Sequence, residues 1–261
     1  MRGGERPRRA QCEGRAAVSG AAGAPGPAAC GARRLDPIED NSATRKVMIC
    51  GVQSSAPLSC VDAGTPSHRR RDYRRCVVNL MAWATEVAGE HLASVLPRRW
   101  AHVRGVARRA RLVEPLLSVQ DGELLISAAL LHDIGYASDL ALTGFHPLDG
   151  ARFLRGIGCS DRLVNLVAHH SCAVLEAELR GLSDELAEFE DEESAIRDAL
   201  WWADMTTTPD GGDTTVAERI AEIQSRYGPD DVVSRFIRRA TGDLGAAAER
   251  TNRRLEVTGI A

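Results

Sequence analysis

The sequence predicts an all-α domain behind a disordered N-terminal extension. From about residue 77 apolar residues recur at spacings of three and four, no run alternates apolar and polar with a period of two, and residues 1–76 show neither pattern. That first stretch is rich in Ala, Gly, Pro and Arg and poor in large apolar side chains, so it cannot bury enough surface to offset its chain entropy. A translation start near Met81 is a second reading of the same stretch. Residues 77–261 are therefore expected to form one domain, its helices packed around a single core.

The helices follow in order. Val77 to Leu92 is the first, and Arg98 to Val113 the second, with Val103, Val106, Ala110 and Val113 on one face and Pro97 suited to its first turn. Glu123 to Ile134 carries Leu124, Leu125, Ala128 and Leu131, reads as buried, and stops at Gly135. Shorter helices are expected over Leu148 to Arg155, Asp161 to Ala168, Cys172 to Leu179, Asp184 to Phe189 and Ser194 to Met205. Three more follow at Val216 to Tyr227, Asp231 to Ala240 and Leu244 to Leu255.

Charge and composition exclude several classes of function. Residues 1–75 hold 14 basic against 7 acidic side chains and the remainder 19 against 29, so the net charge of -3 hides two unlike parts. Only Lys46 among the 33 basic residues is a lysine, which fits GC-rich coding better than a nucleic-acid surface, and Tyr73 alone supplies no stacking platform. Seven carboxylates between Asp184 and Glu193 would repel a polyanion. No nucleic-acid partner is expected. No membrane partner is expected either, because the best apolar run, Leu124 to Leu131, is far shorter than a span and contains Ser127. Ala16 to Ala29 lacks the leucine-rich core of a secretory signal, and the seven cysteines show no CxxC spacing. The reading is a cytoplasmic protein with reduced thiols.

The informative region lies between residues 102 and 204. Five of the seven histidines fall between 102 and 170, in the order His102, His132-Asp133, His146 and His169-His170, and Asp204 follows on a later helix. Imidazole and carboxylate together suit Fe, Mn, Ni or Zn, whereas Mg and Ca prefer an all-oxygen set. His102 alone reads as a hydrogen-bonded core histidine as readily as a ligand. His132-Asp133 is different, because it ends an otherwise apolar helix, where an uncompensated imidazole and carboxylate would cost several kcal/mol that a cation removes. His146 precedes Pro147, and a surface loop histidine and a ligand are level there. For His169-His170 at a helix C-terminus, one of the pair is expected to be a ligand. Asp204, one turn after Leu200 and Trp201, falls on a buried face and needs a cation nearby. Trp201 and Trp202 could stack a base, though consecutive tryptophans usually include a core residue.

Trp100-Ala-His102, Ala129-Leu-Leu-His132-Asp133-Ile-Gly135 and Ala203-Asp204 together resemble the H...HD...D signature of the HD-domain superfamily of metal-dependent phosphohydrolases. The histidine lies 30 residues before His132 and the second aspartate 71 after Asp133. The resemblance covers about residues 77–208 and implies an HD-type helical bundle in which His102, His132, Asp133 and Asp204 hold one ion. The run from Thr143 to Leu154 is similar to two-metal members, and implies a second ion held by His146 with His169 or His170 and bridged by Asp133. His132 and Asp133 are the expected catalytic pair. Two departures narrow the substrate. His170 is followed by Ser171-Cys172-Ala173 in place of the Gly-Tyr-Pro of the cyclic-dinucleotide phosphodiesterases, and no lysine follows the HD pair. A cationic phosphate contact must come from arginine, with Arg108, Arg109 and Arg152 as candidates.

The resemblance implies hydrolysis of an ester or anhydride of a small nucleotide or other small phosphorylated metabolite, by water activated on one or two divalent transition-metal ions about 3.5–4 Å apart. Two other readings stay open at this point: a di-iron oxygenase of the same fold, and a non-catalytic metal-binding regulatory module.

Overall fold

The computed structural model describes residues 79–259, and the readings for residues 1–76 and for five of the cysteines lie outside them. Within the described residues the chain is all-α, with no strand beyond a single bridge between Thr207 and Asp213.

α3 (Val119–Leu131) is the hub. Nine of its thirteen residues are buried, and it is flanked by α1 (Leu80–Leu92), α2 (Pro97–Ala110), α5 (Asp161–Ala168) and α8 (Ala195–Met205). A helix that is apolar on every side has to sit inside others. It begins four residues before the Glu123 expected from the apolar pattern. Ser118 caps it, its Oγ accepting from the Asp121 N–H at 3.1 Å, and the Asp121 carboxylate suits the positive end of the helix dipole. It ends at Leu131, so His132 and Asp133 stand where the helix has just released the chain.

Two short helices, α4 (His146–Gly156) and α5, pack on each other beside this hub. α4 starts at His146, two residues before the expected Leu148, with Pro147 tolerated in a first turn that has no use for its missing N–H. α6 (Ala173–Arg180) and the single turn α7 (Ser183–Leu186) follow; the expected helix Asp184 to Phe189 reduces to that turn. The acidic block beyond it is tied down by arginines, with Arg155 on Glu188, Arg197 on Asp191 and Arg162 on Glu192.

α9 (Val216–Arg226) opens with a reciprocal capping box between Thr215 and Glu218. α10 (Val232–Val257) corrects the two separate helices expected at its place. Gly242 and Gly245 weaken a helix by about 1 kcal/mol each but do not end it. Ile237, Ala240, Leu244, Ala247, Ala248, Thr251 and Leu255 form one continuous buried stripe that carries the helix through them.

Asp198 fastens α8 to α10. Its buried carboxylate accepts from Arg250 Nε and Nη2 at 2.8 and 2.7 Å, with Arg254 Nη1 at 3.4 Å. Burial works against the charge, yet the two guanidiniums outweigh it and hold the Asp198 pKa below the usual carboxylate value. A lowered folded-state pKa adds stability above the unfolded value near 4, and that stability is lost as pH falls. Asp198→Asn is expected to cost about 1–2 kcal/mol at pH 7, a modest figure because both guanidiniums face solvent. The cost should vanish as pH falls through the acid range. Denaturant melts of both proteins at pH 7 and pH 3 would show it, and an equal difference at the two pH values would contradict this role.

No helix of the described residues is long and apolar enough to cross a membrane. Of the two cysteines in this region, Cys172 is a buried free thiol.

Candidate metal centre

α2, the end of α3, the start of α4, the end of α5 and the end of α8 converge on one buried cluster of imidazoles and carboxylates. α2 contributes His102. A loop at residues 206–214 lies against it so closely that a side chain at Gly105 would meet the Gly211 carbonyl at 2.6 Å. Gly211 itself has φ +81, a conformation that favours glycine. This close approach lets the Thr208 carbonyl accept from His102 Nδ1 at 3.0 Å.

The turn Ile134–Tyr136 carries the HD pair onto α4. A Cβ at Gly135 would stand 2.1 Å from the His146 carbonyl oxygen and 2.6 Å from the Gly150 nitrogen, so only glycine lets the two segments touch here. The loop before α4 is organised by the buried Asp149. Its carboxylate accepts the backbone N–H groups of Leu142, Thr143 and Gly144 and the Thr143 hydroxyl, all at 2.9–3.1 Å. Asp149 thereby fixes where His146 begins its helix.

The cluster has two halves. His102, His132 and Asp204 form one group able to hold a metal ion, and Asp133, His146 and His170 form the other. Asp133 lies between them. Its Oδ2 is 3.4 Å from His132 Nε2 and 3.7 Å from His102 Nε2, while its Oδ1 is 3.3 Å from His146 Nε2 and 3.9 Å from His170 Nε2. Asp204 Oδ1 lies 3.0 Å from His102 Nε2 and 3.9 Å from His132 Nε2. Within the pair left open by the sequence, His170 enters the cluster and His169 does not. His169 turns its Nε2 to the Phe189 carbonyl at 2.8 Å, and its own carbonyl accepts from Trp201 Nε1.

The protons of this cluster decide what it can bind. His102, His132 and His170 each direct Nδ1 at a backbone carbonyl, of Thr208, Ala129 and Val167 respectively, at 2.7–3.0 Å. A carbonyl only accepts, so each Nδ1 carries a proton, which leaves Nε2 as the inward-facing atom able to offer a lone pair to a cation. His132 Nε2 is buried with no hydrogen-bond partner, and the Nε2 atoms of His146 and His170 face each other at 3.0 Å. Burial, with His146 and His132 adding to it, pushes the His170 pKa down to about 3, so that ring is neutral at physiological pH. Burial also opposes charge on His132, but Asp133 outweighs it and raises that pKa, which marks where the carboxylates draw positive charge. Asp133 and Asp204 are held well below the usual carboxylate range despite burial, Asp133 by Arg99 and His132 and Asp204 by the neighbouring His102 and His132 rings. Converging lone pairs and anions in a dry cluster repel unless a cation stands among them. The residues therefore fit a divalent transition metal.

Around the cluster lie residues that the sequence pattern does not single out. Arg99, one turn before His102 on α2, donates from Nη1 to Asp133 Oδ2 at 2.7 Å and lies 3.9 Å over the Tyr136 ring. Tyr136 stacks on His146 from its other face, the ring centroids 4.0 Å apart. The one signal for Arg99 is its spacing of three from His102, which places both on one helical face. The arginines expected from sequence to meet phosphate are engaged elsewhere: Arg108 with Asp213, Arg109 with Thr206 and the Trp202 ring, and Arg152 beside Glu188. Trp201 and Trp202 are both buried core residues, so neither offers a face to a base.

Residues 99–220 match the family model described as HD domain. No curated protein and no solved structure matches the chain.

Proposed function

This chain carries an HD domain, the unit of the metal-dependent phosphohydrolases, and on that premise we propose that it hydrolyses an ester or anhydride of a small phosphorylated metabolite, a small nucleotide being the leading class. The observation that carries the reading is the inward set of imidazole lone pairs opposite two carboxylates, a donor set for divalent metal. His102, His132 and Asp204 would hold one ion and Asp133, His146 and His170 another, from Fe, Mn, Ni or Zn. When bound, such ions lower the pKa of a water and polarise phosphoryl oxygens.

The protein's own residues do the rest. Thr208, Ala129 and Val167 fix the tautomers of three ligand histidines, so no reorganisation is needed at the moment of reaction. Arg99 is the residue placed to meet a phosphoryl oxygen. Burial opposes its charge, but Asp133 outweighs this and raises its pKa, so it remains a guanidinium at every working pH. Its plane rests on Tyr136, and its donors other than Nη1 have no partner among the described residues. The acidic block supports a small substrate over a polyanion.

The test uses the full chain, assayed for metal by mass spectrometry and for phosphate release on phosphomonoesters, phosphodiesters and nucleotides. One to two equivalents of transition metal and metal-dependent phosphate release are expected. Arg99→Ala should keep its metal and lose about 10²-fold in kcat/KM, with Arg99→Lys recovering part of it. Oxygen uptake with a visible absorption band, and no phosphate release by the loaded chain, would favour the di-iron oxygenase instead.

A further inference from the structure

Two consecutive residues directly after His170, Ser171 (φ 48) and Cys172 (φ 61), occupy the left-handed region. Residues with a Cβ avoid this conformation, and two in succession persist only where the surroundings enforce them. Cys172 is buried in a cluster that includes Trp201, Met205 and Phe236. Ser171 is only half-buried, so packing does not explain its side chain. Glycine would adopt the same φ without strain. What serine has and glycine lacks is a hydroxyl, and this hydroxyl donates to Asp204 Oδ2 at 2.5 Å.

The two oxygens of Asp204 therefore have different partners. Oδ2 is taken by Ser171, while Oδ1 faces His102 Nε2 at 3.0 Å and His132 Nε2 at 3.9 Å. We propose that Ser171 is a positioning residue that engages one Asp204 oxygen, leaving the other alone to serve the ion held with His102 and His132. The inference rests on the metal-centre reading above. It also gives the left-handed turn a use: directly after His170 it brings a hydroxyl across to Asp204, the carboxylate of the other half of the cluster. A bond from a neighbouring group to a ligating carboxylate fixes its orientation and its denticity.

The full chain, stripped of metal, is titrated with Co²⁺ alone, which favours the same donors and reports coordination number through its visible bands. The wild type is expected to bind Co²⁺ at both halves. Ser171→Ala should weaken one of the two ions by about 10- to 100-fold and leave the other unchanged. Its visible bands should fall in intensity as the freed Oδ2 raises the coordination number. Ser171→Gly should show the same metal defect while its metal-free form melts higher than the wild type, because the backbone strain is gone. A merely structural serine would not give a metal defect in a stabilised variant. Wild-type Co²⁺ affinity and spectrum in either variant overturn the proposal. A wild-type chain that binds no Co²⁺ overturns the metal-centre reading, and this inference with it.

Discussion

Replacing Asp133 by alanine is expected to strip the chain of both ions and to lower phosphate release by about 10³-fold or more. Asp133 faces both halves of the cluster. One Asp133 oxygen faces His132 and His102 and the other faces His146 and His170, so a single substitution removes a donor from each half. The same change leaves Arg99 without its carboxylate, three-quarters buried beside a cluster that has lost an anion. Linkage provides a second readout. A divalent ion at about one hundred times its dissociation constant stabilises the protein that binds it by about 2.7 kcal/mol. Manganese should therefore raise the melting temperature of the wild type and do nothing for Asp133→Ala. Asp133→Asn, nearly the same size, should fail in the same way, because charge and not volume is what the ions require. A variant that kept two equivalents of metal would refute the central place of Asp133 in the cluster.

Much of this arrangement is legible in the sequence, for identifiable reasons. His132-Asp133 stands out because the eight residues before it form a mostly apolar helix end, and ionisable groups there demand compensation. Asp204 is read by the same argument one turn beyond Leu200. The long-range placement of Arg99 is not legible in this way: it stands among Arg98, Arg104, Arg108 and Arg109 on one helix, and only the fold shows which guanidinium meets Asp133. Asp149 is hidden because its partners are backbone amides of a loop whose closure no periodicity encodes. The choice between His169 and His170 rests on which backbone carbonyl each ring meets, Phe189 for His169 and Val167 for His170, and no residue type in this stretch announces it. α10 reads as two helices divided near Gly242 because a local helix breaker is visible in sequence, whereas the tertiary stripe that overrides it is visible only through packing.

Gly135→Ala is expected to be the most damaging single-methyl change in the domain, costing about 3 kcal/mol, or roughly 6–12 °C in Tm for a domain of this size. The reason is space and not backbone conformation, since Gly135 does not lie at positive φ. A Cβ there would meet the His146 carbonyl oxygen at 2.1 Å and the Gly150 nitrogen at 2.6 Å. Both are backbone atoms of α4, so no side chain can swing aside, and relief requires the helix itself to move away by about an ångström. That movement carries His146 with it, because His146 is the first residue of α4. The defect should therefore be selective. The ion assigned to Asp133, His146 and His170 is lost, while His102, His132 and Asp204, which α4 does not carry, keep theirs. Metal analysis should find the stoichiometry halved, not abolished, in protein that still folds below its lowered melting point. Gly150→Ala supplies the control: its Cβ would meet neighbours no closer than 3.2 Å, so small adjustments suffice and both ions should remain. Equal effects from the two substitutions would show that the contact between the turn and α4 does not set the position of His146.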